Sequence, residues 1–181
     1  RGESDRRWTY ISCPDSEELS ALLPLLTDDD RCFAVIEDWI MPRITGRRSV
    51  GWRLSTVRLY LPETVCIPEA YQPGIRPLGP DDIVSLYENS DYRTYISQAY
   101  IRNRIENGPS AGIEKDGRLA GWVMTHDDGA IGFLHVMEEY RRRGYAGQLM
   151  RHMIREVRGR GGIPFVHIEE SNTASMSLAL R

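Results

Sequence analysis

Lysine is almost missing from this chain: Lys115 is the only one, and arginine supplies the rest of the positive charge. A bias of that kind follows coding composition as readily as chemistry, so it assigns no function. Cysteine is nearly as scarce. Cys13, Cys32 and Cys66 are odd in number, widely spaced and outside any C-x-x-C pair, which argues against a disulfide framework and against a thiolate zinc site. Such thiols fit a reducing, cytoplasmic setting, and no metal is expected. No apolar run approaches the roughly 18 residues of a membrane span, and no basic-then-apolar leader opens the chain, so a membrane is not an expected partner. Nor does one sign of charge dominate. With 23 Lys and Arg against 26 Asp and Glu, no global field draws the protein to nucleic acid, and any bound anion must be held locally. Both ends read as cut, since position 1 is arginine and Arg181 falls within an unfinished helical run.

What is present suffices for one ordinary domain or two small ones: 181 residues, 41% of them hydrophobic. Pro62, Pro68, Pro73, Pro77 and Pro80 crowd one region and push the backbone toward extended conformations, which places a boundary there. Residues 1–73 read as a smaller α/β subdomain, with a helical leucine pattern over 15–26, an apolar stretch over 32–40 and alternation over 57–60. Residues 74–181 read as the main domain. Pro80-Asp81-Asp82 opens a short helix, and Asp91 opens a second that uses Tyr95, Ile96, Ala99 and Tyr100. Strands over 110–114, 119–125 and 130–137 follow, joined by the turns Lys115-Asp116-Gly117 and His126-Asp127-Asp128-Gly129. Ala146, Leu149, Met150, Met153, Ile154 and Val157 then recur at helical spacing over 144–158, Gly161-Gly162 break that helix, and a strand over 163–168 follows.

The chemistry concentrates where the third of those strands meets the long helix. Unpaired N–H groups and the positive end of the helix dipole converge at such a start, so the turn can hold a pyrophosphate if no side chain obstructs it. Gly144, Ala146 and Gly147, with Tyr145 between them, keep the approach open, while Arg141, Arg142 and Arg143 can add charge-assisted contacts to phosphate oxygens. The bland alternative is a permissive turn beside a solvated arginine face. A triphosphate site is the weaker reading, because the P-loop G-x-x-x-x-G-K-[ST] is missing.

Arg141-Arg-Arg-Gly144-Tyr-Ala146, preceded by Val136, Glu139 and Tyr140, resembles the R/Q-x-x-G-x-G/A signature of the GNAT acyltransferase superfamily. His167-Ile-Glu-Glu-Ser-Asn172 and Ser175 resemble its later motif, and Pro164, His167 and Ser171-Asn172 are most similar to the glycine N-acyltransferase-like branch. The resemblance covers residues 74–181, and the first half is only distantly similar to that branch's degenerate first subdomain. It implies an α/β fold: a mixed, mostly antiparallel sheet flanked by helices, whose two central parallel strands splay apart. It also implies acetyl-CoA, or another acyl-CoA, as co-substrate. The thioester would lie along Leu134, His135 and Val136, the phosphates at 141–147, and the pantetheine arm near Asn172 and Ser175. A primary amine of a small molecule, amino acid or peptide would attack directly, so that catalysis is proximity plus oxyanion stabilisation.

Where family members often carry the base, this chain has Ala130 and Gly132, and Ala179 stands where a tyrosine acid is usual. The polar groups left near the cleft are His126, Asp127 and Asp128 in the turn and His167, Glu169 and Glu170 at the end of the next strand. A spacing of two puts His167 and Glu169 on one face, as a base with its orienting partner. A backbone carbonyl satisfying a half-buried His167 is the structural alternative. A CoA-binding regulatory module without turnover is the alternative function. The family's sheet commonly continues past the last helix, so either further residues or a homodimer partner would complete it.

Overall fold

A computed structural model describes residues 6–35, 37–46, 48–68 and 74–181. Two units divide between Leu54 and Ser55. In the first, β1 (Trp8–Ile11) pairs in parallel with β2 (Cys32–Val35), and α1 (Ser16–Leu22) and α2 (Met41–Thr45) complete a small α/β unit. Asp15 caps α1 by accepting the Glu17 and Glu18 amides at 2.9 Å. The leucine pattern continues past that helix, but Pro24 turns it into a 3-10 turn over Leu23–Leu25. Ile11, Cys13, Leu19, Ile40 and Ile44 form this unit's core. Asp30 is its polar hub, accepting the amide and hydroxyl of Thr27, the hydroxyl of Thr9 and the guanidinium of Arg7. Those bonds, the Thr27 amide foremost, hold its carboxyl well below the usual carboxylate range.

The second unit begins with β3 (Thr56–Tyr60), upstream of the prolines expected to mark the boundary. Its partner comes from near the other end of the chain: it pairs antiparallel with β8 (Phe165–Glu169), Thr56 opposite Glu169 and Tyr60 opposite Phe165. The proline segment that follows is tied down. Arg158 donates to the carbonyls of Val65 at 2.8 Å and Pro62 at 2.7 Å, and Arg155 donates to that of Pro68. Pro73 lies outside the described residues.

The main sheet runs β4 (Ile75–Arg76), β5 (Ser110–Lys115), β6 (Arg118–Thr125), β7 (Ile131–Val136), antiparallel throughout. α3 (Ile83–Glu88) and α4 (Gln98–Asn107) pack on one face, where Leu86, Ile101, Trp122 and Met124 are buried. α4 starts later than Asp91 suggests, because Ser97 caps it by accepting the Tyr100 amide at 3.0 Å. α5 (Tyr145–Gly159) covers the other face, with Leu149, Met153 and Val157 against Ala111, Ile113, Ala120, Val123 and Ile131. Ala111 and Ala120, both fully buried, let the helix approach closely. It ends in a Schellman motif: Gly161 has φ 76°, its amide bonds the Arg158 carbonyl, and the Gly162 amide bonds that of Val157, each at 2.9 Å. α6 (Thr173–Ala179) follows β8.

β7 and β8, joined through α5, are neighbours without a shared ladder: β7 ends one sheet and β8 belongs to a two-stranded one. The expected mixed α/β fold, mostly antiparallel with two central strands apart, is what the chain adopts.

β4 is anchored by a polar clamp. Arg76 meets both oxygens of Asp82 at 2.8 Å, and Asp82 also accepts the Gly79 amide at 2.8 Å. The Arg76 guanidinium, the largest influence, holds the Asp82 carboxyl below its ordinary value. Because that value is depressed on folding, the contribution is complete above pH ~4 and is lost as pH falls through the folded value. Asp82→Ala should cost about 2 kcal/mol in urea unfolding at neutral pH, since Arg76 stays partly solvated, and the difference from the parent should shrink on acidification.

Candidate functional site

β7 departs from regularity at its middle. Trp122 pairs with His135 and Met124 with Gly132, so the single residue Val123 lies opposite both Phe133 and Leu134. This is a β-bulge, and Phe133 takes the left-handed backbone it needs, with φ 52°. Beyond the bulge the Met137 amide reaches back to the Ala120 carbonyl at 2.9 Å, so alternation turns His135 toward β6 and Leu134 and Val136 toward the open edge beside β8. Arg141 confirms the direction for Val136, its Nε–H donating to the Val136 carbonyl at 3.0 Å.

The chain then makes a 3-10 turn over Glu138–Tyr140, passes Arg142 at φ 61° and reaches Gly144 at φ 80°. Gly144 caps α5 without a side chain, and the first helical bond runs from the Gln148 amide to the Gly144 carbonyl. The amides of Tyr145, Ala146 and Gly147 therefore have no helical acceptor. Arg141, Arg142, Arg143 and Gly144 are exposed, and nothing lies within 4 Å of where a Gly144 Cβ would be. Arg143 rests over the Tyr140 ring at 5.7 Å. One cation here was missed in the sequence: Arg151, whose Nη1 would be 3.3 Å from a Cβ on Gly147. Its only sequence signal is the i, i+4 spacing from Gly147.

Asn172 caps α6, accepting the Ser175 amide at 3.0 Å, which places the two half-buried side by side. His135 is stacked on Trp122 with centroids 4.5 Å apart, and burial pushes its pKa down. Tyr92 and Tyr95 are exposed, whereas Tyr100 is buried and donates to Asp127 at 3.0 Å. Burial first, and then that carboxylate, pushes the Tyr100 phenol up.

His167 and Glu169 share a strand and alternate onto one face, but the hydrogen-bond partner of His167 is Asp128, whose Oδ2 is 2.9 Å from Nε2. Burial alone would raise the Asp128 pKa; the His167 contact and the Ala130 amide outweigh it and hold the carboxyl low. His126 lies over Gly132, where a Cβ would come within 2.2 Å of its Nε2, and packs on Phe133 at 4.4 Å. Burial pushes its pKa down. Among the described residues no His, Cys, Asp and Glu cluster could hold a metal ion, and no helix is long and apolar enough to cross a membrane.

Residues 110–180 match the FR47-like protein family. No curated protein matches the chain. Among solved structures, a Drosophila protein is 22% identical over 82% of this chain and 55% of its own, with a TM-score of 0.68. A putative acetyltransferase from the GNAT family of Novosphingobium aromaticivorans is 24% identical over 68% of this chain and 55% of its own, with a TM-score of 0.56. The chain spans just over half the length of each. These likenesses show a shared fold, and the family match runs over β5 to α6.

Proposed function

We propose that the second unit is an acyl-CoA-dependent N-acyltransferase that moves an acyl group, most simply acetyl, to a primary amine. One arrangement carries the reading: a bulged strand with an open edge at Leu134 and Val136 leads, through a short turn, to a helix whose first amides are uncapped. Such an edge suits the amide-bearing pantetheine arm, and such a helix start suits a diphosphate. Arg141, Arg142, Arg143 and Arg151 supply matching charge, and Asn172 and Ser175 stand at the start of α6 as the remaining candidates for contact with the arm. The affinity with the glycine N-acyltransferase-like branch rests on Pro164, His167 and Ser171-Asn172. Calorimetry with acetyl-CoA and with desulfo-CoA tests the reading: saturable binding is expected for both, and no heat at millimolar ligand would sink it.

A binding module without turnover is the second reading, favoured by Ala130, which is fully buried, and by Gly132, whose side-chain position His126 fills. β7 itself thus carries no acid or base before its bulge. Thiol release across a panel of amines separates the two, because turnover with any of them ends the second.

A further inference from the structure

Direct attack by an amine leaves a surplus proton on its nitrogen, and a group near the splayed strands has to take it. His126 is wedged over Gly132 and packs on Phe133, and His135 is stacked on Trp122, whereas His167 only meets Phe165 edge-on at 5.5 Å. His167 is differently placed. It lies on β8, beside the open edge of β7, on the strand face opposite Val166 and Ile168, which pack into the interior. Two charged groups approach its Nε2: the Asp128 carboxylate at 2.9 Å and the Arg58 guanidinium at 3.4 Å. A guanidinium only donates and a carboxylate only accepts, so one nitrogen of a neutral ring cannot serve both. The shorter, charge-assisted contact decides, and the proton sits on Nε2. Asp128 is itself fixed, accepting the Ala130 amide at 3.0 Å. The lone pair of the neutral ring is therefore on Nδ1. That atom has no hydrogen-bond partner among the described residues and is not enclosed, the side chain being 26% exposed.

The geometry points to His167 Nδ1 as the proton acceptor for the attacking amine, with Asp128, not Glu169, as the residue that positions the ring; this rests on the acyl-transfer reading. As the new C–N bond forms and the thioester C–S bond breaks, the amine proton passes to Nδ1. The sulfur leaves as thiolate and is protonated by solvent, and the ring returns its proton to solvent. Arg58, stacked on Phe165 at 5.1 Å, approaches the same Nε2 as Asp128 and leaves Nδ1 clear.

The test follows thiol release from acetyl-CoA with the amino acids, diamines, polyamines and a lysine peptide as acceptors, alongside desulfo-CoA calorimetry. His167→Gln is expected to lower kcat about 100-fold with desulfo-CoA affinity unchanged. Asp128→Asn should lower kcat and Asp128→Glu should restore much of it. Imidazole ¹H–¹⁵N spectra should show His167 as the Nε2–H tautomer, mixed in Asp128→Asn. An Nδ1–H tautomer in the parent protein, or a kcat within about twofold of it in His167→Gln, would overturn the assignment. Desulfo-CoA binding with no thiol release for any amine would overturn it too, leaving the coenzyme site standing. Failure of the parent to bind desulfo-CoA would instead remove the acyl-transfer reading on which it rests.

Discussion

Gly144→Trp is expected to weaken desulfo-CoA binding about a thousandfold while the protein stays folded. The size follows from what the indole would cover. A diphosphate seated at the α5 start takes charge-assisted bonds from main-chain amides worth about 1.5–3 kcal/mol each, and losing two removes roughly 4 kcal/mol, or three decades of affinity. Gly144→Ala separates this from backbone strain. At φ 80° any side chain costs about 1–2 kcal/mol of stability, but a methyl group there meets nothing within 4 Å. Alanine should therefore lower the melting temperature as tryptophan does and spare most of the binding. Equal loss in both variants would mean that strain, not occlusion, governs the site.

The second large effect lies one strand away. Gly121 faces Val136 across the β6–β7 ladder, and a Cβ there would come within 2.7 Å of the His135 carbonyl and 3.3 Å of the Val136 Cα. Both obstacles are backbone, so β7 must move. Gly121→Ala is expected to cost about 2–3 kcal/mol in urea unfolding and to weaken desulfo-CoA binding as well, because the displaced segment is the proposed pantetheine edge. Gly159→Ala, within α5 and open on all sides, is the control: binding should be unchanged and stability slightly raised. Unaltered binding in a measurably destabilised Gly121→Ala protein would detach the edge from the coenzyme.

Both variants probe features of differing visibility in the sequence. α5 and its glycine start were legible because they are local: the periodicity from Ala146 to Val157 and the break at Gly161 need only neighbouring residues. The two hairpin turns were legible for the same reason, Gly117 and Gly129 marking left-handed positions at φ 71° and 87°. Pairing across the chain was not. Nothing in 56–60 states that its partner is 165–169, so the proline run looked like the boundary, and the arginines that pin that run to α5 lie more than eighty residues away. The start of α4 was placed too early because Asp91 is a good cap, and only the folded chain shows that Ser97 is the one used.

Within the candidate site the same division holds. The bulge is hidden because Phe133 belongs to a residue class that seldom enters left-handed space, and its register is fixed by β6. Spacing suggested Glu169 as the companion of His167, since a strand repeats every two residues. The actual contact reaches 39 residues back to the turn before β7. Asp128 was visible as a polar turn residue, but its partner depends on how β8 settles beside β7.

Backbone ¹H–¹⁵N correlation spectra recorded during a desulfo-CoA titration test the central claim most directly, because they read the amides themselves. Saturable downfield shifts of the Tyr145, Ala146 and Gly147 amide protons are expected, accompanied by changes at Leu134 and Val136. Binding that leaves those five amides unmoved while others shift would contradict a coenzyme held between the open edge of β7 and the start of α5.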